Sequence, residues 1–153
     1  MFTKPQRYCS PISDAVKHGK EEFDPQKPAT IARSLAIGNP ADGNYASRMI
    51  RSSGGWAEDA SEEQIVAGIE LLATSEGIFG ETAAGVTVSS AQALIEQGRI
   101  RPEEETVLCI TGNGLKTTDA LMNRMTLDPP IEPRLAAFEK FMGQAMAVSA
   151  AAS

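Results

Sequence analysis

The sequence TVLCITGNGLK, residues 106–116, joins a short apolar run to a glycine-rich turn and decides the fold class. Residues 106–110 are mostly apolar and rich in side chains that favour strands, so we predict a strand here that is buried on both faces. Such strands belong to parallel sheets whose two faces are covered by helices. The predicted fold class is therefore α/β, with a parallel sheet flanked by helices.

Three helices with clear sequence signals accompany this run. Ser61 and Gln64 have the spacing of a capping box, and apolar residues follow at helical intervals. Residues 82–97 form a second predicted helix, which Gly98 ends in a left-handed conformation. Residues 44–52 are typical of a third, because apolar side chains fall on one face. Strand and helix signals alternate along the chain, as they do in α/β folds.

Composition excludes several classes of protein. The 153 residues carry a formal net charge of −6, which argues against nucleic acid and anionic membrane surfaces as partners, because both attract basic faces. No apolar run approaches the ~18 residues of a membrane-spanning helix, and the N-terminus has no signal-peptide pattern. Cys9 and Cys109 match no metal or redox spacing, and His18 is the single histidine. We expect a cytoplasmic protein of one main domain without a metal site.

The turn after the predicted strand is the first candidate site. Residues 111–116 leave the carboxyl end of that strand, which is where open α/β sheets bind ligands. The Thr111 hydroxyl can bond a ligand atom, and the glycines allow close approach of the backbone. The segment lacks the Gly-Lys-Ser/Thr ending of a phosphate-binding P-loop. A plain tight turn after a core strand is the alternative that the residues leave open.

Two further positions are candidates. Gly38 and Asn39 precede Pro40 in a clear turn, which has either a structural or a ligand-binding role. Glu81 lies between a short apolar segment and a predicted helix. A carboxylate at that point either stabilises the helix N-terminus electrostatically or faces a ligand.

Six stretches together resemble a known family in order and approximate spacing. The chain is similar to the C-terminal part of threonine synthase, a pyridoxal-phosphate (PLP) enzyme with the fold type II, tryptophan-synthase β-like architecture. The resemblance implies that residues 1–132 are the C-terminal half of the large domain of such an enzyme, incomplete by themselves, and that residues 133–153 are a helical tail with a frayed end. The matching stretches are residues 30–41, 53–55, 76–79, 81–83, 85–87 and 111–116.

The resemblance also implies an activity and a cofactor site. The family converts O-phospho-L-homoserine and water to L-threonine and phosphate with PLP. Thr111 matches the residue that hydrogen-bonds the pyridine nitrogen, and Gly112 follows it in the same motif. Gly38 and Asn39 match a loop at the mouth of the ring site, and Glu81 matches a carboxylate near the ring.

The chain departs from the family pattern in ways that bear on activity. None of its six lysines, Lys116 included, lies in a motif like that of the Schiff-base lysine, and no loop matches the one that anchors the cofactor phosphate. The resemblance therefore implies no catalytic residue in this chain and no turnover by the chain alone. The partner it implies is the missing N-terminal half of the enzyme or a second copy of the chain, with a small-molecule substrate.

Two other functions remain as alternatives. One is a non-catalytic interaction or regulatory module derived from a PLP-enzyme fold. The other is a small stand-alone α/β domain that binds a ligand with the loop that follows residue 110. An exposed apolar strand edge would favour pairing with another polypeptide, because unpaired edges attract further strands.

Overall fold

The computed structural model describes residues 9–122, 124 and 130–151, and the side chains among them as far as residue 143. The last two residues of the tail, whose end we expected to be frayed, lie outside the described residues. The helices of the described residues are α1 (Pro11–Lys17), α2 (Gly43–Ser52), α3 (Glu62–Glu76), α4 (Thr82–Glu96) and α5 (Leu135–Ala151), with short 3-10 turns at Arg33–Leu35, Gly114–Lys116 and Thr118–Ala120.

The start of α3 is the capping box predicted from the sequence. The Ser61 hydroxyl accepts a hydrogen bond from the Gln64 amide at 3.2 Å, and the Gln64 side chain accepts one from the Ser61 amide at 2.8 Å. Two amide donors that a helix start leaves free are thereby paired. After α4, Gly98 has a φ of 67°, the left-handed conformation expected of it.

Helices α3 and α4 pack closely because each places a glycine at their contact. A Cβ on Gly68 would lie 2.5 Å from the Gly85 carbonyl oxygen, and a Cβ on Gly85 would lie 2.2 Å from the Ile65 carbonyl oxygen. The Ser89 hydroxyl donates a hydrogen bond to the Gln64 carbonyl at 2.5 Å across the same contact. The two backbones therefore approach to a distance that only glycine permits.

The core forms around this helix pair in two buried clusters. Both clusters take residues from α3, and segments before α3 and after α4 contribute to the larger one, so the helix pair organises the main unit of the chain. The larger cluster contains Ala32, Ala60, Ile65, Val66, Ile69 and Leu121, and the smaller contains Leu72, Ala84 and Val88, with Ile110 packed against it.

The predicted strand over residues 106–110 is not observed. Within the described residues no strand forms, and the only β-type pairing is an isolated antiparallel bridge between Gly80 and Asn113. Val107 is 86% exposed and Leu108 is 41% exposed, so the prediction that this run is buried on both faces is wrong for the described structure. The reason is that a buried strand needs neighbours on both sides, and no described segment pairs with this one. The predicted parallel sheet is consequently not confirmed.

An ion-pair cluster links α1 to the segments that flank the helix pair. The Lys17 ammonium group forms ion pairs with the carboxylates of Glu58 and Asp59. Gln97, which follows α4, donates a hydrogen bond to Glu58 at 2.7 Å. Glu58 therefore connects α1, the segment before α3 and the end of α4.

The described residues divide into two compact units, one as far as Met122 and one from Arg124 onwards. In the second unit, α5 follows an ion pair between Arg134 and Glu132. No helix in either described part has the length and apolar character needed to cross a membrane.

Candidate functional site

Two short segments that are distant in sequence lie side by side at the start of α4. The Glu81 amide donates to the Gly112 carbonyl at 3.0 Å, and the Gly114 amide donates to the Phe79 carbonyl at 2.9 Å. These bonds flank the bridge between Gly80 and Asn113. They fix residues 111–117, which we name the Thr111 loop, against residues 79–82.

Glycines permit this close contact. A Cβ on Gly112 would lie 2.0 Å from Oε1 of Glu81, and a Cβ on Gly114 would lie 2.5 Å from the ring of Phe79. The Glu81 side chain thus rests directly on the backbone of the Thr111 loop. The sequence predicts that these glycines permit close approach of another group. In the structure the groups that approach Gly112 and Gly114 are the side chains of Glu81 and Phe79.

The Glu81 carboxylate is buried but does not cap the helix that it precedes. Glu81 is 8% exposed and occupies the N-cap position of α4, and its side chain makes no capping hydrogen bond. The Thr82 amide instead donates to the hydroxyl of Thr117 at 3.2 Å. Glu81 thus lies at the N-cap position, where a negative charge is favoured electrostatically without a capping hydrogen bond, and both interpretations drawn from the sequence are compatible with this position.

Thr111 itself is exposed at the beginning of the loop. The loop continues into a 3-10 turn that begins with a cap by Asn113, whose side chain accepts a hydrogen bond from the Leu115 amide at 2.9 Å. Lys116, in that turn, is also exposed. A ligand can therefore reach both Thr111 and the outer side of the turn.

Gly38 and Asn39 lie at a different turn. The Gly38 carbonyl accepts a hydrogen bond from the Gln26 amide at 2.9 Å, and a Cβ on Gly38 would collide with the Gln26 carbonyl oxygen. The Gln26 side chain accepts a hydrogen bond from the Ser10 amide at 2.9 Å. Gly38 is buried by these contacts, whereas Asn39 is exposed.

A cleft of about 360 Å³ opens beside this second turn. Ile37 and Pro40, on either side of the Gly38-Asn39 pair, line it together with residues 9–13. Most of its walls are apolar, with Glu58 as the charged group among them. The turn thus borders a cavity large enough for part of a small molecule.

The structure brings three of the five predicted cofactor residues into one place. Glu81 contacts Gly112, and Thr111 precedes Gly112 in the chain. Two residues that no sequence pattern singles out, Thr117 and Gln26, hold the two turns in place. Threonine and glutamine at these positions belong to no distinctive motif, so only the fold reveals their contacts.

Comparison with known proteins identifies the class. Residues 3–112 match the family of pyridoxal-phosphate dependent enzymes. Because this match covers well over half of the sequence, the chain belongs to that family, and PLP is the cofactor of the family. The family has the fold type II architecture expected from the resemblance.

Curated relatives give a narrower likeness. The chain is 41% identical over 113 residues to a threonine synthase of Methanocaldococcus jannaschii, a match that covers 73% of this chain and 28% of that protein. A threonine synthase of Halalkalibacterium halodurans is 34% identical over 108 residues, covering 71% of this chain and 30% of that protein. One of Methanosarcina acetivorans is 38% identical over 115 residues, covering 74% and 28%. The chain spans less than a third of the length of these relatives.

The residues of the Thr111 loop fit one side of a PLP ring. A pyridine nitrogen needs a hydrogen-bonding partner, and Thr111 offers a neutral hydroxyl at a position that a ligand can reach. Next to it, Gly112 presents no side chain, and the Glu81 carboxylate lies against that glycine. This set of groups can bind and orient one edge of the cofactor.

Proposed function

We propose that this chain forms part of a threonine synthase-like PLP enzyme, which converts O-phospho-L-homoserine and water to L-threonine and phosphate. The observation that carries the proposal is the likeness to threonine synthases at 34–41% identity over about 70% of the chain. The family match over residues 3–112 includes all five predicted cofactor residues. The contact between Glu81 and Gly112 supports it from the structural side.

In this proposal the chain contributes the face of the site that meets the pyridine nitrogen. When bound, PLP supplies an electron-withdrawing ring. The Thr111 hydroxyl bonds the ring nitrogen without a charge, so it orients the ring but does not hold the nitrogen protonated as an aspartate would. Glu81 places a carboxylate beside the ring, and Gly38 and Asn39 belong to the mouth of the site.

We propose further that the chain is active only together with a polypeptide that carries the cofactor-bearing lysine and the phosphate-anchoring loop. The exposed apolar side chains of Val107 and Leu108 support this, because the helices that cover both faces of a completed parallel sheet would bury them. In the assembled enzyme, residues 106–110 would then be a strand of the parallel sheet that the resemblance implies. The partner to which we commit is the N-terminal remainder of the enzyme.

A cytoplasmic location belongs to the same proposal. Cys9 and Cys109 are free thiols, as is usual for proteins in a reducing compartment. The acidic balance of the sequence adds no affinity for anionic membrane surfaces.

A chimera tests the proposed activity. In the threonine synthase of M. jannaschii, the matched stretch is replaced by that of this chain, and phosphate release from O-phospho-L-homoserine is measured. We expect activity that Thr111→Ser retains and Thr111→Val reduces, because only serine keeps the hydroxyl. A folded chimera that releases no phosphate would contradict the proposal, provided that the parent enzyme is active in the same assay.

Co-expression tests the proposed partner. This chain is produced with a polypeptide that contains the remaining part of a threonine synthase, and the two are purified through a tag on one of them. Co-purification with phosphate release supports the proposal. Co-purification without activity would favour the alternative, a non-catalytic interaction module, and self-association of the chain without any binding of the partner would favour a homo-oligomer.

A further inference from the structure

The start of α1 obtains a hydrogen-bond acceptor from a distant part of the chain. The first amides of a helix have no partner within it and need acceptors from elsewhere. At α3 the amide of the N-cap residue Ser61 is bonded locally, by the side chain of Gln64. At α1 the amide of the N-cap residue Ser10 donates to Oε1 of Gln26 at 2.9 Å, and the two residues are 16 positions apart in sequence.

The other end of the same side chain also bonds to α1. Nε2 of Gln26 donates to the Asp14 carboxylate at 2.6 Å, about one helical turn beyond the N-cap. The two bonds need an acceptor and a donor on one planar group, and the glutamine amide supplies both. A glutamate here would lack the donor, and a methionine would lack both groups. The side-chain amide of Gln26 therefore fixes this residue against the first turn of the helix.

The backbone of Gln26 is bonded to a second element. Its amide donates to the Gly38 carbonyl at 2.9 Å, and its carbonyl oxygen occupies the space that a Cβ on Gly38 would need. Gln26 is thus bonded to α1 through its side chain and to the Gly38-Asn39 turn through its backbone.

Both of these elements line the cleft of about 360 Å³. Residues 9–13 come from the start of α1, and Ile37 and Pro40 flank the turn. Helix α1 also packs against α2, which follows the turn, and this packing brings the two elements near each other. The bonds of Gln26 add a direct connection between them.

We propose that Gln26 is a positioning residue: it sets the distance between α1 and the Gly38-Asn39 turn, and with it the width of the cleft. That the cleft lies at the mouth of the cofactor site rests on the proposed function. The connection itself is a property of this chain alone, since every group that forms it belongs to the chain. No chemical step is assigned to Gln26.

Hydrogen exchange, measured by nuclear magnetic resonance on the isolated chain, tests the connection. The reporter is the backbone amide of residue 26, which is bonded to the Gly38 carbonyl. Asp14→Ala removes the acceptor of the Gln26 side chain, so we expect this distant amide to exchange about fivefold faster. Asp14→Asn is the matched control: it keeps an acceptor oxygen, and exchange should stay within about twofold.

A double-mutant cycle separates the bonds of Gln26 from the packing of α1 on α2. In the Gln26→Met background the side chain can no longer bond to Asp14, so Asp14→Ala should change exchange of the reporter by less than about twofold. If Asp14→Ala accelerated exchange equally in both backgrounds, or in neither, the positioning role would be overturned. Gln92→Met makes the same chemical change on the exposed surface of α4 and should leave the reporter unchanged.

Kinetics of the chimera test the role of the cleft. Gln26→Met should raise the KM for O-phospho-L-homoserine about fivefold and leave kcat within about twofold, because the groups proposed to meet the pyridine nitrogen belong to the Thr111 loop. An unchanged KM would overturn the role of the cleft, even where exchange shows the connection. An inactive chimera contradicts instead the threonine synthase-like activity and leaves the exchange measurements unchanged, because they require neither cofactor nor partner.

Discussion

The carboxylate of Glu81 rests on the Cα of Gly112, so that a Cβ at position 112 would lie 2.0 Å from Oε1. The contact joins a residue at the start of α4 to one in the Thr111 loop, 31 positions further along the chain. It gives the buried carboxylate one defined position. The atoms that would be displaced by a methyl group are the far end of a flexible side chain, and this determines what a substitution there will do.

Gly112→Ala should therefore affect the site more than the fold. The Glu81 side chain can rotate away from the new methyl group, so we expect the free energy of unfolding to fall by less than about 1 kcal/mol. In the assembled enzyme, the same change should weaken PLP binding, measured by titration of cofactor absorbance. Gly143→Ala is the control, because a Cβ there meets nothing within 4 Å. Unaltered cofactor affinity in Gly112→Ala would contradict the proposed role of the contact.

Gly85→Ala should destabilise the protein strongly. The new Cβ would lie 2.2 Å from the Ile65 carbonyl oxygen, a backbone atom that can move only if α3 and α4 separate. Overpacking of this kind costs about 1–3 kcal/mol, and the rigid backbone places this case at the upper end. Urea unfolding monitored by circular dichroism measures it, with Gly143→Ala again as the control. A loss below about 0.5 kcal/mol would show that the helices are not in the contact described.

Ser61→Ala should remove the cap of α3. The Ser61 hydroxyl accepts the Gln64 amide, and loss of such a cap typically costs about 1 kcal/mol. Ser75→Ala is a matched control in the same helix, because its exposed hydroxyl donates to the Leu71 carbonyl, which already belongs to the helix. We expect that control to change stability by about 0.5 kcal/mol or less. Equal effects of the two substitutions would contradict the capping assignment.

Val107→Lys should prevent assembly without harming the isolated chain. Val107 is 86% exposed, so a lysine at this position removes little buried apolar area and should leave the unfolding midpoint unchanged. At a strand interface a lysine blocks pairing. We expect co-purification with the N-terminal polypeptide to be lost. Val107→Thr, which keeps a β-branched side chain, should retain it. Binding that survives Val107→Lys would place the interface elsewhere.

Local signals in the sequence predict the local structure well. The capping box at Ser61 and Gln64, the helix that begins at Thr82 and the left-handed Gly98 are all observed. Each depends on residues within a few positions of one another, so the sequence contains the information. The prediction that residues 106–110 are buried on both faces is wrong for the described structure, because burial depends on what packs against a segment and not on its own composition.

Contacts between distant residues could not be predicted from the pattern. Glu81 and Gly112 are each candidates from the sequence, but nothing in it indicates that one rests on the other. Thr117 is not a candidate, because a threonine just after the glycine-rich turn has no distinctive periodicity or motif. Its role follows only from the fold, which places its hydroxyl at the Thr82 amide.

Acid should lower the free energy of unfolding, because it protonates the Glu58 carboxylate. Burial by itself raises the pKa of this carboxyl, but hydrogen bonds from Lys17 and Gln97 outweigh it and lower the pKa from 4.5 to about 2. A lowered pKa contributes stability that is complete above about pH 4.5 and is lost as the pH falls towards 2. Allowing for solvent screening, we expect the contribution to fall by about 1 kcal/mol between pH 5 and pH 3, and Glu58→Gln to abolish this part of the pH dependence. Urea unfolding at a series of pH values measures it. Glu104→Gln is the control: hydrogen bonds from the Arg101 backbone and side chain lower the pKa of Glu104, but this carboxyl is exposed, and exposed pairs contribute little to stability. If Glu58→Gln and the unaltered chain lost stability in parallel over this range, the ion-pair cluster would not be what stabilises the junction of α1 with the helix pair.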